Sequence, residues 1–150
     1  ENMWRLRTTL RWPRLVRPHY TQTMKLPSDT IEVHFRWAKY PSQKHSVLAS
    51  SGESVLDVSN RVGLGIIGSC EGNMSCSTCH VIFSEKDFGR VGPASEAELD
   101  MLELALGVQE TSRLGCQVKL SSELSGITCT LPELVKDYYD GNLHEEMLNN

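Results

Sequence analysis

Four cysteines constrain this chain more than any other feature. Cys70, Cys76, Cys79 and Cys116 stand in the pattern C-x5-C-x2-C-x36-C. Three of them fall within one short stretch whose other members are Glu71, Gly72, Asn73, Met74, Ser75, Ser77 and Thr78. Most of these are small or loop-forming residues, so the segment is expected to be a loop and not a helix or strand. Four thiolates can hold a [2Fe–2S] cluster, two on each iron. A loop wraps such a group only where its backbone comes close, which Gly72 permits. Loop N–H groups can then donate to the sulfurs and moderate the charge of the site.

Other readings compete for the same residues. Cys76-Ser77-Thr78-Cys79-His80 matches the C-x-x-C-H haem attachment pattern, which leaves Cys70 and Cys116 without a role. A structural zinc ion also takes four cysteines, but zinc ribbons usually use two C-x2-C pairs and this chain has one. A redox C-x-x-C needs a βαβ context that the surrounding pattern lacks. A single disulfide is disfavoured in a reducing compartment. Cys129 alternates with Ile127 and Leu131 at period two and reads as a buried free thiol.

Charge is divided along the chain. Residues 1–24 hold five arginines and one acid, a sum of +4. Residues 25–150 hold ten basic and eighteen acidic residues, a sum of −8. An Arg-rich, acid-poor leader without an apolar core reads as a mitochondrial transit peptide, expected to be disordered and removed. Residues 25–141 are then one folded domain and 142–150 a flexible tail. The overall charge of −4 gives no case for nucleic-acid binding. No apolar run approaches the roughly 20 residues of a membrane span, so no stable membrane insertion is expected.

The remaining pattern is small and mixed. Ile31, Val33, Phe35 and Trp37 alternate with Glu32, His34 and Arg36, predicting a half-buried strand over Thr30–Trp37. A turn over Tyr40–Lys44 leads to a second strand at His45–Ser50. Ser54 opens a helix with Val55, Val58 and Val62 at helical spacing, ended by Gly63, Gly65 and Gly68. A short strand follows at Val81–Phe83. Ser95 and Glu98 form a capping pattern for a helix reaching toward Gly107. On it Leu99, Met101, Leu102, Ala105 and Leu106 share one arc, and Glu96, Asp100 and Glu103 the other. Strands are expected near Cys116–Leu120 and Ile127–Leu131, and a partly helical tail from Glu133. The fold class is α+β with a mixed sheet. Gly63-Leu64-Gly65-Ile66-Ile67-Gly68 matches a dinucleotide fingerprint, but it follows a helix and no strand. Asn73-Met74-Ser75 is a glycosylation sequon lying between candidate ligands.

CEGNMSCSTCH at Cys70–His80 with SRLGCQ at Ser112–Gln117 closely resembles the adrenodoxin-type [2Fe–2S] ferredoxins of mitochondria. The resemblance runs from about Ile31 to Gly141, and the x5 first gap separates it from plant-type ferredoxins. It implies a β-grasp ferredoxin fold with a cluster-binding loop and an acidic interaction helix. It implies Cys70, Cys76, Cys79 and Cys116 as cluster ligands and a one-electron carrier, not an enzyme. It implies that Glu96, Glu98, Asp100 and Glu103 dock an NADPH-dependent flavoprotein reductase; alone, that acidic arc reads as a solvated face. Ala97 stands where relatives carry another acid. His80 follows the third ligand, as in relatives where it links the cluster region to the helix. Leu131-Pro132 with Tyr138, Tyr139, Asp140 and Gly141 is more like the branch that serves Fe–S cluster assembly on its scaffold than the branch that feeds cytochromes P450. The location implied is the mitochondrial matrix, or a reduced mitochondrion-derived organelle. Donation to cytochromes P450 stays an alternative, as does a structural zinc module of a different class.

Overall fold

Alternation builds the central strand. In the computed structural model, which describes residues 30–136 and 143–145, β1 (Thr30–Trp37) buries Ile31, Val33, Phe35 and Trp37 on one face. Each of these apolar side chains contributes about 1.5–3 kcal/mol on leaving water. The turn after Trp37 returns the chain as β2 (Lys44–Ser50), antiparallel to β1 from Thr30↔Ser50 to Arg36↔Lys44. The hairpin expected from the sequence is therefore present.

Helix α1 (Val55–Val62) starts where Ser54 predicts. Ser54 Oγ accepts the Asp57 N–H at 3.0 Å, and Asp57 Oδ2 accepts the Ser54 N–H at 2.9 Å. Val55, Leu56 and Val58 are buried, whereas Val62 lies out of the core at the helix end. Gly63 adopts φ +70 and stops the helix. No helix starts between Leu64 and Cys79, so the G-x-G-x-x-G match lacks the helix N-terminus a pyrophosphate would need.

Strand β3 (His80–Phe83) is followed by helix α2 (Glu85–Val91), which the sequence reading missed. Its signal was the Ser84–Asp87 cap: Ser84 Oγ accepts the Asp87 N–H at 3.2 Å. Helix α3 (Glu96–Leu102) begins after Ser95 as expected but stops a turn early. Leu104 and Ala105 bond back three residues instead of four, and Gly107 lies beyond at φ +68. The expected apolar arc is also corrected. Only Leu102 of that set is buried, and Leu99 is 51% exposed. The face turned inward carries Glu98 and Leu102, four residues apart on one side of the helix.

β4 is Ser112–Leu114, not the expected Cys116–Leu120. The backbone of the latter segment is committed to the start of α1: Val55 N–H bonds Val118 O at 3.1 Å and Leu120 N–H bonds Glu53 O at 2.8 Å. β5 (Ile127–Leu131) matches the expected strand, and Pro132 follows it. The sheet order is β2-β1-β5-β3-β4, with β1 and β5 parallel and the other neighbours antiparallel. This is the mixed sheet of a β-grasp fold. Among the described residues after Glu133 there is no helix. β6 (Leu134–Lys136) pairs antiparallel with β7 (Leu143–Glu145), which falls inside the expected flexible tail. That pairing is non-local and leaves no helical period in the sequence. The leader at 1–24, Tyr138 to Gly141 and the rest of the tail lie outside the described residues. Among the described residues, no helix is long and apolar enough to cross a membrane.

Candidate metal centre

The sheet register closes the 36-residue gap between the third and fourth cysteines. His80 of β3 pairs with Leu114 of β4, and Gly115 N–H bonds Cys79 O at 2.8 Å. Cys79, just before β3, is thereby set against Cys116, just after β4. Cys70 and Cys76 lie on the loop between Gly68 and Cys79, and all four thiols are buried. Cys70 and Cys76 lie near enough to shift each other's ionisation, and so do Cys79 and Cys116. Among the described residues, no three His, Cys, Asp or Glu side chains converge as the ligands of one metal ion do. Two pairs of thiols suit two irons better than one tetrahedral zinc.

Three residues of the cysteine loop hold left-handed backbone. Glu71 and Met74 hold φ of 52 and 54, and Gly72 holds φ 87. Such turns gather N–H groups into anion-binding concavities. The Ser75 and Gly72 N–H groups act to lower the Cys70 thiol, those of Thr78 and Cys70 act to lower Cys76, and that of Met74 acts to lower Cys116. Side chains add to this. Gln117 Nε2 donates to Cys116 Sγ at 3.2 Å. Thr78 Oγ1 accepts the Ser69 N–H at 3.0 Å and lies 3.1 Å from Cys76 Sγ, to which its own O–H can donate. Ser77 Oγ is buried without a partner.

The thiols are electrostatically unequal. Burial alone would push Cys70 up, but bonds from the Cys76 thiol and the Ser75 and Gly72 N–H groups outweigh it and hold Cys70 low. Burial pushes Cys76 up. The hydrogen bond with Cys116, then burial, push Cys79 up. The same bond from Cys79 brings Cys116 down to about 6. Each pair thus holds one thiol nearer to ionisation, the form a metal binds. Cys129 is apart, wholly buried in β5, where burial and the Asp87 charge push its thiol up.

His80 is 2% exposed, and burial pushes it down to about 4. Its Nε2 and Ser112 Oγ share a 2.7 Å hydrogen bond, and Ser112 Oγ accepts the Gln109 N–H at 2.9 Å. It therefore ties the end of the cysteine loop to the segment after α3, not to α3 itself.

Helix α3 is tied elsewhere, by Glu98 and Arg113. Glu98, expected on the docking face, is 1% exposed. Its carboxylate accepts from Arg113 Nε at 2.8 Å and Nη2 at 2.9 Å, and from the Leu114 N–H at 2.7 Å. It does not close a capping box: Ser95 Oγ accepts the Glu98 N–H, but the carboxylate turns to the sheet. Arg113, not singled out from the sequence, also donates to Gly92 O at 2.6 Å. The only available signal was the acid left over on the apolar side of the helix. Glu96, Asp100 and Glu103 remain exposed. Beside them lies a groove of about 620 Å³, lined by Phe88, Leu99, Leu102 and Val108, with Glu103 and Glu110 as its charged members.

Residues 40–121 match the model of the 2Fe-2S iron-sulfur cluster binding domain. The chain belongs to the [2Fe–2S] ferredoxins. It is 40% identical to mitochondrial adrenodoxin of Gallus gallus over 111 residues, 73% of this chain and 76% of the relative. It is 38% identical to mitochondrial ferredoxin-2 of Xenopus laevis over 123 residues, 81% of this chain and 63% of the relative. In structure it is similar to a chain of the covalent putidaredoxin reductase–putidaredoxin complex, with a TM-score of 0.61 and 31% identity over 66% of this chain and 95% of that one. As a ferredoxin of adrenodoxin type it carries a [2Fe–2S] cluster and transfers electrons; it is a carrier and not an enzyme. Four buried thiols, with Thr78 Oγ1 3.1 Å from Cys76 Sγ and Gln117 Nε2 3.2 Å from Cys116 Sγ, fit that cofactor.

Proposed function

We propose that Cys70 and Cys76 hold one iron and Cys79 and Cys116 the other. The protein then carries single electrons from an NADPH-dependent flavoprotein reductase to the scaffold of Fe–S cluster assembly in the mitochondrial matrix. The observation that carries this reading is four buried thiols brought to one place by the loop after Gly68 and by the β3–β4 register, which sets Cys79 against Cys116. When bound, the cluster supplies a one-electron couple, with net charge −2 oxidised and −3 reduced. The chain does the rest. Its N–H groups, Thr78 and Gln117 offset the sulfur charge, and burial keeps water from the thiols.

Docking falls to the exposed acids. Glu96, Asp100 and Glu103 present negative charge beside an apolar groove, matching a basic reductase surface with an apolar contact at its centre. Complementary charge speeds encounter and leaves binding weak enough for turnover. Similarity to mitochondrial adrenodoxin and mitochondrial ferredoxin-2 supports the location; similarity to a reductase-bound putidaredoxin supports the donor.

The test is reconstitution. Purified protein is expected to be red-brown, with two irons and two labile sulfides, and to give an EPR signal only after reduction. Added to scaffold, reductase and NADPH, it should start cluster formation that fails without it. Colourless protein with one zinc would sink the carrier assignment. Reduction without scaffold activity, but with turnover of a mitochondrial cytochrome P450, would move the acceptor.

A further inference from the structure

Ser77 lies between two of the proposed ligands, and its hydroxyl has no partner. The residue is 2% exposed, and Oγ is closed off from solvent. A buried hydroxyl left unsatisfied is costly, so native structures rarely keep one without reason. Its backbone is occupied in the ordinary way: Ser77 O accepts the His80 N–H at 3.1 Å. Next to it, Thr78 shows what a hydroxyl on this loop does, since Oγ1 takes the Ser69 N–H and faces Cys76 Sγ. Among the described residues the other orphaned buried polar side-chain atom is Trp37 Nε1. That indole stands edge-on to His45 at the β1–β2 hairpin, on a different part of the sheet. Among the described residues Ser77 alone is orphaned beside the cysteines.

We propose that the Ser77 Oγ–H donates to a sulfur of the bound [2Fe–2S] cluster and so raises its reduction potential. This rests on the four-thiolate assignment above. The redox step gains one electron from the reductase and neither makes nor breaks a bond, and the hydroxyl proton stays on Ser77. A hydrogen bond to sulfur is worth more when the acceptor carries more negative charge. The reduced state therefore gains more than the oxidised one, and Ser77 acts as a positioning donor.

The test uses the intact holoprotein. Ser77→Ala should keep two irons and two sulfides yet lower the reduced-to-oxidised ratio about tenfold at a fixed solution potential, equivalent to ~59 mV for one electron. Ser77→Thr, which keeps the hydroxyl, should restore most of that ratio. In reduced wild-type protein, proton ENDOR before and after exchange into deuterium oxide should show one exchangeable coupling that Ser77→Ala lacks. A purely structural hydroxyl would lower thermal stability and leave both potential and coupling unchanged; that result overturns the proposal while the ligand assignment stands. If Ser77→Ala does not load, the Ser77→Thr potential and the wild-type coupling decide. An exchangeable coupling confined to backbone N–H groups would overturn it. Wild-type protein without two irons would instead bring down the ligand assignment itself.

Discussion

Glu98 and Arg113 form a buried two-pronged ion pair, at 2.8 and 2.9 Å, that fastens helix α3 to strand β4. Arg113 sits three residues before Cys116, so the pair joins the acidic helix to the strand that presents the fourth cysteine. A bland acid in the sequence is thus a structural bolt between the candidate docking face and the candidate metal centre.

Removing one partner leaves the other charged and out of water. Glu98→Ala or Arg113→Ala should destabilise the fold by about 3–5 kcal/mol, read by chemical denaturation of the holoprotein. Stability within 1 kcal/mol of wild type would mean that the pair is solvated in solution.

The exposed acids should behave differently. Asp100→Lys with Glu103→Lys is expected to leave stability nearly unchanged, as surface charges usually do. Reductase coupling should weaken, and its dependence on ionic strength should flatten. Kinetics that match wild type at every salt concentration would return these acids to an ordinary solvated face.

Cys116→Ser should lose or severely weaken cluster binding, whereas Cys129→Ser should keep it. The second change places a hydroxyl in the wholly buried β5 position, at a cost of about 1–3 kcal/mol. Iron and sulfide analysis separates the two. Loss of cluster in Cys129→Ser at a temperature where the protein stays folded would contradict the assignment.

Gly115 offers a test that leaves every thiol in place. A Cβ there would sit 3.0 Å from Cys79 O, a backbone atom already held by the Gly115 N–H. Gly115→Ala should push Cys116 away from Cys79 and speed cluster loss, followed by the decay of visible absorbance. A retention half-life equal to that of wild type would show that the strand ends can shift freely.

The Asp57 carboxylate is held below its usual 3.8, first by the Ser54 N–H and then by the Ser54 hydroxyl. A depressed carboxylate stabilises the fold above its unfolded pKa and loses that contribution as pH falls through the folded value. Asp57→Ala should therefore cost stability at pH 7, and the gap to wild type should shrink as pH drops below about 3.8. A gap that stays constant with pH would place the effect in helix propensity and not in the cap.

Much of this protein is legible in short stretches of sequence. Alternation located β1 and β5, and Ser54 located the start of α1, because each depends on contacts a few residues apart. The same local logic explains the misses. Gly89 interrupts the short α2, so only its Ser84 cap marked it. The segment after Cys116 has β-like composition, yet its hydrogen bonds go to α1 across the fold.

By itself the sequence determined which chemistry is available: four thiols at a spacing that suits a two-iron cluster, on a loop able to turn its N–H groups inward. Only the tertiary structure decided which thiols face each other and which acids face water. Cys79 meets Cys116 through the β3–β4 register, which no local pattern encodes. Glu98 lies buried because Arg113 waits across the sheet, while Asp100, two residues on, finds no such partner and stays at the surface. A charged side chain is admitted to a core only where an opposite charge and hydrogen-bond donors already stand, and those come from strands distant in the chain.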